Sequence, residues 1–255
     1  MYWSLQLTIK LAVAGKGGSG KTSVTSLVIR YLKKNGKVPI LAVDADPNAN
    51  LGESLGLQVG QTIGTILAGF QHEKISIPPG MTKEAYLDYK LNETIVESAG
   101  LDLITMGRGQ GPECYCYPNT VLKKFIDGLS DNYAYVVMDN EAGMEHLSRK
   151  TTDDVDALLL VSNHSVKGVR AIGRILELAA ELKLHVKKKY ILVNMVPDKL
   201  DPLVAEELKH LGLKADIIIP EDKTLYRQDL EQKPLMEMPD NSPAVQAVAG
   251  LMAEL

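Results

Sequence analysis

The chain has 255 residues, 45% hydrophobic and 24% charged, with 28 basic against 32 acidic side chains and a net charge of -4. That profile belongs to a globular protein with a real core and excludes a disulfide-stapled mini-domain or a disordered tail. The charge balance supplies no electrostatic pull toward nucleic acid or an anionic membrane. No apolar run reaches the roughly 18 residues of a membrane span. The start, MYWSLQLTIK, lacks the basic and apolar regions of a leader, so a cytoplasmic protein with neither nucleic acid nor membrane as partner is expected.

From Leu7 to Ala14 a β-rich apolar run ends in glycine, and Thr22 to Lys34 then carries Val24, Leu27, Val28, Tyr31 and Leu32 near helical spacing. Gly36 stops that helix, and Val38 to Val43 reads as a buried strand closed by Asp44. Together they form a βαβ unit. Between Leu57 and Gly100 the rhythm lapses into polar residues and Ile-Pro-Pro-Gly, with one helix expected near Lys83 to Val96. About 40 residues would make a poor core alone, so the expectation is one domain over 1–255 with an insertion at about 57–100. Further apolar runs follow at Leu101 to Met106, Tyr133 to Met138, Ala157 to Val161, Tyr190 to Val193 and Asp216 to Ile219. Their spacing predicts an α/β fold with a doubly wound, mostly parallel sheet of about seven or eight strands and helices on both faces. Ser242 to Leu255 reads as a short apolar helix without Lys or Arg, suited to packing on the domain rather than to a membrane surface.

Gly15 to Ser23 reads GKGGSGKTS and matches G-x-x-x-x-G-K-[ST] at Gly15, Gly20, Lys21 and Thr22, between a strand and a helix. Glycines let successive N–H groups turn toward a phosphate, and the helix adds its positive end. Nucleotide binding is therefore expected of Gly15, Gly17, Gly18, Ser19, Gly20, Lys21, Thr22 and Ser23, with Lys21 on the β- and γ-phosphates and Thr22 on Mg²⁺. Lys16, a second lysine on the outer side of the loop, is free to act in trans on a neighbouring subunit's nucleotide or simply to be solvated. Carboxylates at strand C-termini face the same crevice. Asp46 is placed to orient the attacking water, Asp44 to support Mg²⁺ or its shell, and Asp139 to hold Mg²⁺ directly or through water. Gly143, with Asp46, marks the switch. A guanine loop would read Asn-Lys-x-Asp, whereas Asn194-Met-Val-Pro197 ends in proline, so ATP is favoured. Asn194, Pro220 and Glu221 are the expected adenine contacts.

The chain has two cysteines, Cys114 and Cys116, in a Gly/Pro-rich stretch. Thiols two residues apart supply half of the four ligands a soft divalent ion takes, and a symmetric dimer would supply the rest. The ligand set alone leaves Zn²⁺ and Ni²⁺ open. The five histidines are scattered without metal-ligand spacing, His146 after the switch included, and Met236 and Met238 read as packing.

GKGGSGKTS, DADPN and DNEAG together resemble, over nearly the whole chain, the deviant phosphate-loop ATPases. That class includes the nitrogenase iron protein, the septum-positioning ATPases of the MinD type and the partition ATPases of the ParA type. The resemblance implies an ATP-dependent homodimer closing face to face, with Lys16 as the signature lysine across the interface. Within it, GPECYCYPN (111–119) with DNEAGMEHLSRKT (139–151) resembles the nickel-insertion accessory ATPases of the carbon monoxide dehydrogenase (CooC) type. This implies one Ni²⁺ or Zn²⁺ ion held between two subunits by Cys114 and Cys116 of each, and apo carbon monoxide dehydrogenase or acetyl-CoA synthase as client. A ParA/MinD-like spatial organiser is the alternative; the acidic balance, the final helix without basic residues and the cysteine pair weigh against it. An iron–sulfur electron-transfer ATPase is another, but it takes its two cysteines per subunit from separate loops.

Overall fold

In the computed structural model, which describes residues 8–72, 77–108, 124–141 and 154–255, the apolar runs become one sheet. Its strands are β1 (Ile9–Gly15), β2 (Ile40–Asp44), β3 (Leu101–Thr105), β4 (Tyr135–Asp139), β5 (Asp154–Asn163), β6 (His185–Val196) and β7 (Ile217–Pro220). The order is β3-β2-β4-β1-β5-β6-β7, seven strands, and every pairing between them is parallel. A parallel strand covered on both faces has no watered side. Leu11 and Val13 of β1 therefore enter one core while Ala12 and Ala14 enter the other.

The helices are α1 (Lys21–Lys34), α2 (Leu51–Leu55), α3 (Ile63–His72), α4 (Lys83–Asn92), α5 (Val166–Glu181), α6 (Pro202–His210), α7 (Lys223–Leu230) and α8 (Pro243–Ala253). Val24, Leu27, Val28 and Leu32 of α1 pack with Val245, Val248, Leu251 and Met252 of α8 on one face. The opposite face takes Ile63, Ile66 and Leu67 of α3, Phe125 and Ile126 of the helical stretch 124–130, and Val169 and Ile172 of α5. Each such side chain contributes roughly 1.5–3 kcal/mol by leaving water. Among the described residues no helix is long and apolar enough to cross a membrane.

Several boundaries differ from expectation for local reasons. β2 starts at Ile40 because Pro39 has no N–H for the ladder. β5 runs from Asp154 rather than Ala157, since Asp154 and Asp156 meet His185 and Lys187 of β6 at 3.0 and 2.6 Å, a polar ladder end that hydropathy misses. The stretch 57–100 contains α4 and also the unanticipated α3, whose apolar residues at i, i+3 and i+4 join the core. α4 stops at Asn92 instead of Val96, because Val96 exchanges two 2.9 Å backbone hydrogen bonds with Leu103.

All strands point the same way, so Gly15, Asp44 and Asp139 emerge at one edge. Asp44 and Asp139 are paired across β2 and β4, and Asp139 pairs with Val13 of β1. The chain leaves β1 toward β2 on one side and reaches β5 on the other, which opens a crevice at this edge.

Candidate functional site

The loop between β1 and α1 is built to expose N–H groups. Gly18 and Gly20 take φ values of 75° and 85°, in the left-handed region that favours glycine. A Cβ on Gly20 would lie 2.3 Å from the Asn194 amide nitrogen. Helices α4, α5, α6, α7 and α8 are each capped by a side chain, from Thr82, Ser165, Asp201, Asp222 and Ser242. α1 instead begins on Gly20 with no side-chain cap and no acidic residue in its first turn. Its first N–H groups and the positive end of its dipole are left for an anion.

Lys21 is buried, and among the described residues its Nζ hydrogen-bonds only to the Lys16 carbonyl, at 3.4 Å. An under-satisfied buried ammonium needs a negative partner. The Ser19 hydroxyl is buried too, with no hydrogen-bond partner among the described residues. The Lys16 side chain is exposed while its carbonyl accepts from Ser19 N, so the side chain extends away from the loop it helps to close.

Two carboxylates lie beneath this cradle. Asp139 accepts from the Thr22 hydroxyl at 2.6 Å and the Thr25 hydroxyl at 3.2 Å. Asp44 accepts from Asp46 N at 3.1 Å and Leu51 N at 2.9 Å, which fixes the turn after β2. Burial pushes Asp44 up to about 7, opposed by the Leu51 N–H and reinforced by the charge of Asp139. It pushes Asp139 up to about 6, against the Thr22 hydroxyl and the Lys21 charge. The cluster thus has too much negative charge for its burial and suits a cation. Thr25, one helical turn beyond Thr22, was missed in the sequence; its i, i+3 spacing on α1 is the signal that marks it.

Asp46 sits at the rim, half-buried, with Oδ1 accepting from both the backbone N and the side-chain amide of Asn48, at 2.8 and 2.9 Å. Its other oxygen takes no hydrogen bond from the described residues and is available to a water.

Asn194, Pro220 and Glu221 come together with Ser23, Met195 and Tyr226 around a largely apolar cavity of about 440 Å³ beside the start of α1. Asn194 also braces the loop: its amide donates to Ser19 O at 2.9 Å while its Oδ1 accepts from Met195 N. One of its two amide protons therefore remains for the cavity. Cys114, Cys116, Gly143 and His146 lie outside the described residues. Among the described residues no group of three or more His, Cys, Asp or Glu side chains is gathered as a metal site.

The sequence profile of the CobQ/CobB/MinD/ParA nucleotide-binding domain (CbiA) matches residues 10–235. An uncharacterized ATP-binding protein of Methanocaldococcus jannaschii is 41% identical over 240 residues, covering 93% of this chain and 94% of that one. The carbon monoxide dehydrogenase accessory protein CooC of Rhodospirillum rubrum is 26% identical over 211 residues, covering 76% and 80%. In fold, the chain is similar to the septum site-determining protein MinD of Pyrococcus horikoshii complexed with Mg-ADP, with a TM-score of 0.71 and 21% identity over 97% of this chain and 96% of that one.

Proposed function

Because the chain belongs to the CobQ/CobB/MinD/ParA nucleotide-binding family and is a P-loop ATPase, we propose that it is a homodimeric metallochaperone that spends ATP on inserting nickel into carbon monoxide dehydrogenase or acetyl-CoA synthase. The observation that carries this reading is the Cys114-Tyr115-Cys116 pair in a chain similar to an accessory protein of carbon monoxide dehydrogenase. Two copies supply four thiolates, enough to hold one Ni²⁺ or Zn²⁺ ion on the twofold axis.

ATP is the substrate of the loop site. The uncapped start of α1 and the buried Lys21 suit its β- and γ-phosphates, and the base enters the cavity walled by Asn194, Pro220 and Glu221. The acidic cluster fits Mg²⁺, with Thr22 and Asp139 as holders and Asp44 behind them; when bound, the ion neutralises charge on the phosphates. Asp46 orients a water whose oxygen attacks the γ-phosphorus. The bond from that phosphorus to the β–γ bridging oxygen breaks, ADP leaves with the electron pair, and the water's proton passes to phosphate or solvent. Lys16 reaches across to the partner's nucleotide and stabilises the charge on the transferring group. ATP binding closes the dimer around the metal, and hydrolysis resets it.

The test is activation of purified apo carbon monoxide dehydrogenase and apo acetyl-CoA synthase by Ni²⁺, with and without this chain and ATP. ATP-dependent activation of one client supports the reading, and no gain with either removes it. The fold similarity to a septum site-determining protein favours a second reading, a spatial organiser. ATP-dependent retention on anionic vesicles or duplex DNA would support that reading; the net charge of -4 weighs against it.

A further inference from the structure

A second cavity, of about 410 Å³, lies beside the last turns of α1. Arg30, Lys33 and Lys34 line it, and no carboxylate does. Its other walls are largely apolar, with Leu55 at the end of α2, Leu57 just after it, Leu101 at the start of β3, and Met236 in the single helical turn Leu235–Glu237. Lys33 stands twelve residues after Lys21 on α1, about 18 Å along the helix axis, so this cavity is separate from the phosphate loop.

The three cations are not equally accounted for. Lys34 pairs with Asp240 and sits in the last turn of α1, at the negative end of the helix dipole. Arg30 is only 8% exposed, and its Nη2 donates to Met238 O and, at 2.7 Å, to Asp240 Oδ1. Its Nε is buried as well and has no hydrogen-bond partner among the described residues. Such an orphaned donor is costly unless something supplies an acceptor. Lys33 is half-buried and has no carboxylate partner among the described residues. Asp240, two-thirds exposed, thus answers one of three positive charges, and two remain on a wall partly out of water. A single carboxylate would balance half of that. A phosphate monoester carries about -1.5 to -2 at pH 7 and brings three acceptor oxygens, which the planar guanidinium and the point-charged ammonium both suit. We infer that this cavity binds a phosphate monoester, with its oxygens on Arg30 and Lys33 and its apolar part against Leu55, Leu57 and Leu101.

The experiment is isothermal titration calorimetry of the full-length chain with phenyl phosphate and with inorganic phosphate, joined by co-sedimentation with vesicles containing phosphatidic acid. Phenyl phosphate should bind with a Kd of about 1 mM or tighter, and inorganic phosphate, which leaves the apolar walls uncovered, several-fold more weakly. Lys33→Glu should weaken phenyl phosphate at least about tenfold, the scale of a lost charge-assisted hydrogen bond, with ATP turnover within about twofold. Arg30→Lys should weaken it as well. Arg30 also holds the Met238 carbonyl, so Lys33→Glu decides the matter if Arg30→Lys fails to fold. Lys21→Ala, which disables the phosphate loop, should keep the binding. The vesicles present the same phosphate group on a lipid. Retention that Lys33→Glu abolishes makes a lipid headgroup the source, whereas phenyl phosphate binding without retention makes it a free small molecule. Binding of neither probe overturns the inference. So does phenyl phosphate binding that Lys33→Glu leaves intact, or that Lys21→Ala abolishes. Equal affinity for inorganic phosphate overturns the monoester, because the apolar walls would then contribute nothing.

Discussion

Lys21 and Asp139 are held by the fold in states that suit a bound nucleotide better than an empty site. Lys21 is a buried cation with one long hydrogen bond among the described residues, and removing it takes away the charge that a phosphate would meet. Lys21→Ala should lower kcat/KM for ATP at least about 100-fold, the scale for losing a preorganised electrostatic partner; near-normal turnover would contradict the phosphate-loop assignment. Asp139 and Asp44 stand above their ordinary value of 3.8, at about 6 and about 7. Between these limits the folded chain holds more protons than the unfolded one, so stability from these groups is complete below 3.8 and is lost as pH rises through 6 to 7. Asp139→Asn removes one charge, and the Thr22 and Thr25 hydroxyls can turn to meet the amide. The Tm of the nucleotide-free variant should rise by about 2–4 °C near pH 8. Its Mg²⁺-dependent hydrolysis should disappear. A lower Tm at that pH would show that the carboxylate is not under strain from burial.

At the scale of elements, α1 is the helix whose start serves a ligand, whereas the ends of its neighbours serve stability. Ser242 shows the contrast: it caps α8 at Val245 N and its hydroxyl also donates to Asp222, the cap of α7. Ser242→Ala should destabilise the chain by about 1–2 kcal/mol, read by urea denaturation, with ATP turnover unchanged. Gly20→Ala should cost about 1–3 kcal/mol and also reduce nucleotide affinity, because φ is 85° and the new Cβ meets Asn194. The strands and α1 were legible in the sequence because buried parallel strands are apolar throughout and a phosphate loop has fixed spacing. α3 was hidden in a stretch of mixed polarity, and the start of β5 was hidden by charged residues that pair across strands. The position of Asp46 at the rim of the crevice was readable from its place after a strand. The Arg108 guanidinium that donates to its neighbour Asn48 was not, since a contact 60 residues apart leaves no local pattern.

At the scale of the molecule, the parallel sheet delivers Gly15, Asp44 and Asp139 to one edge. On the proposed reading Cys114 and Cys116 of one chain are half of the ligand set of a soft metal ion, so the proposed function depends on a pair of chains. The proposed dimer closure, with Lys16 acting in trans, would make hydrolysis depend on chain concentration. The rate per chain should rise with concentration in the unaltered protein and stay low and flat in Lys16→Ala. The most direct measurement is native mass spectrometry of the full chain with Ni²⁺ or Zn²⁺ and a non-hydrolysable ATP analogue. The intersubunit thiolate site requires one ion per two chains, lost together with the metal-dependent dimer in Cys114→Ala/Cys116→Ala. An ion bound to a single chain, or an unchanged stoichiometry without the two thiols, would contradict it.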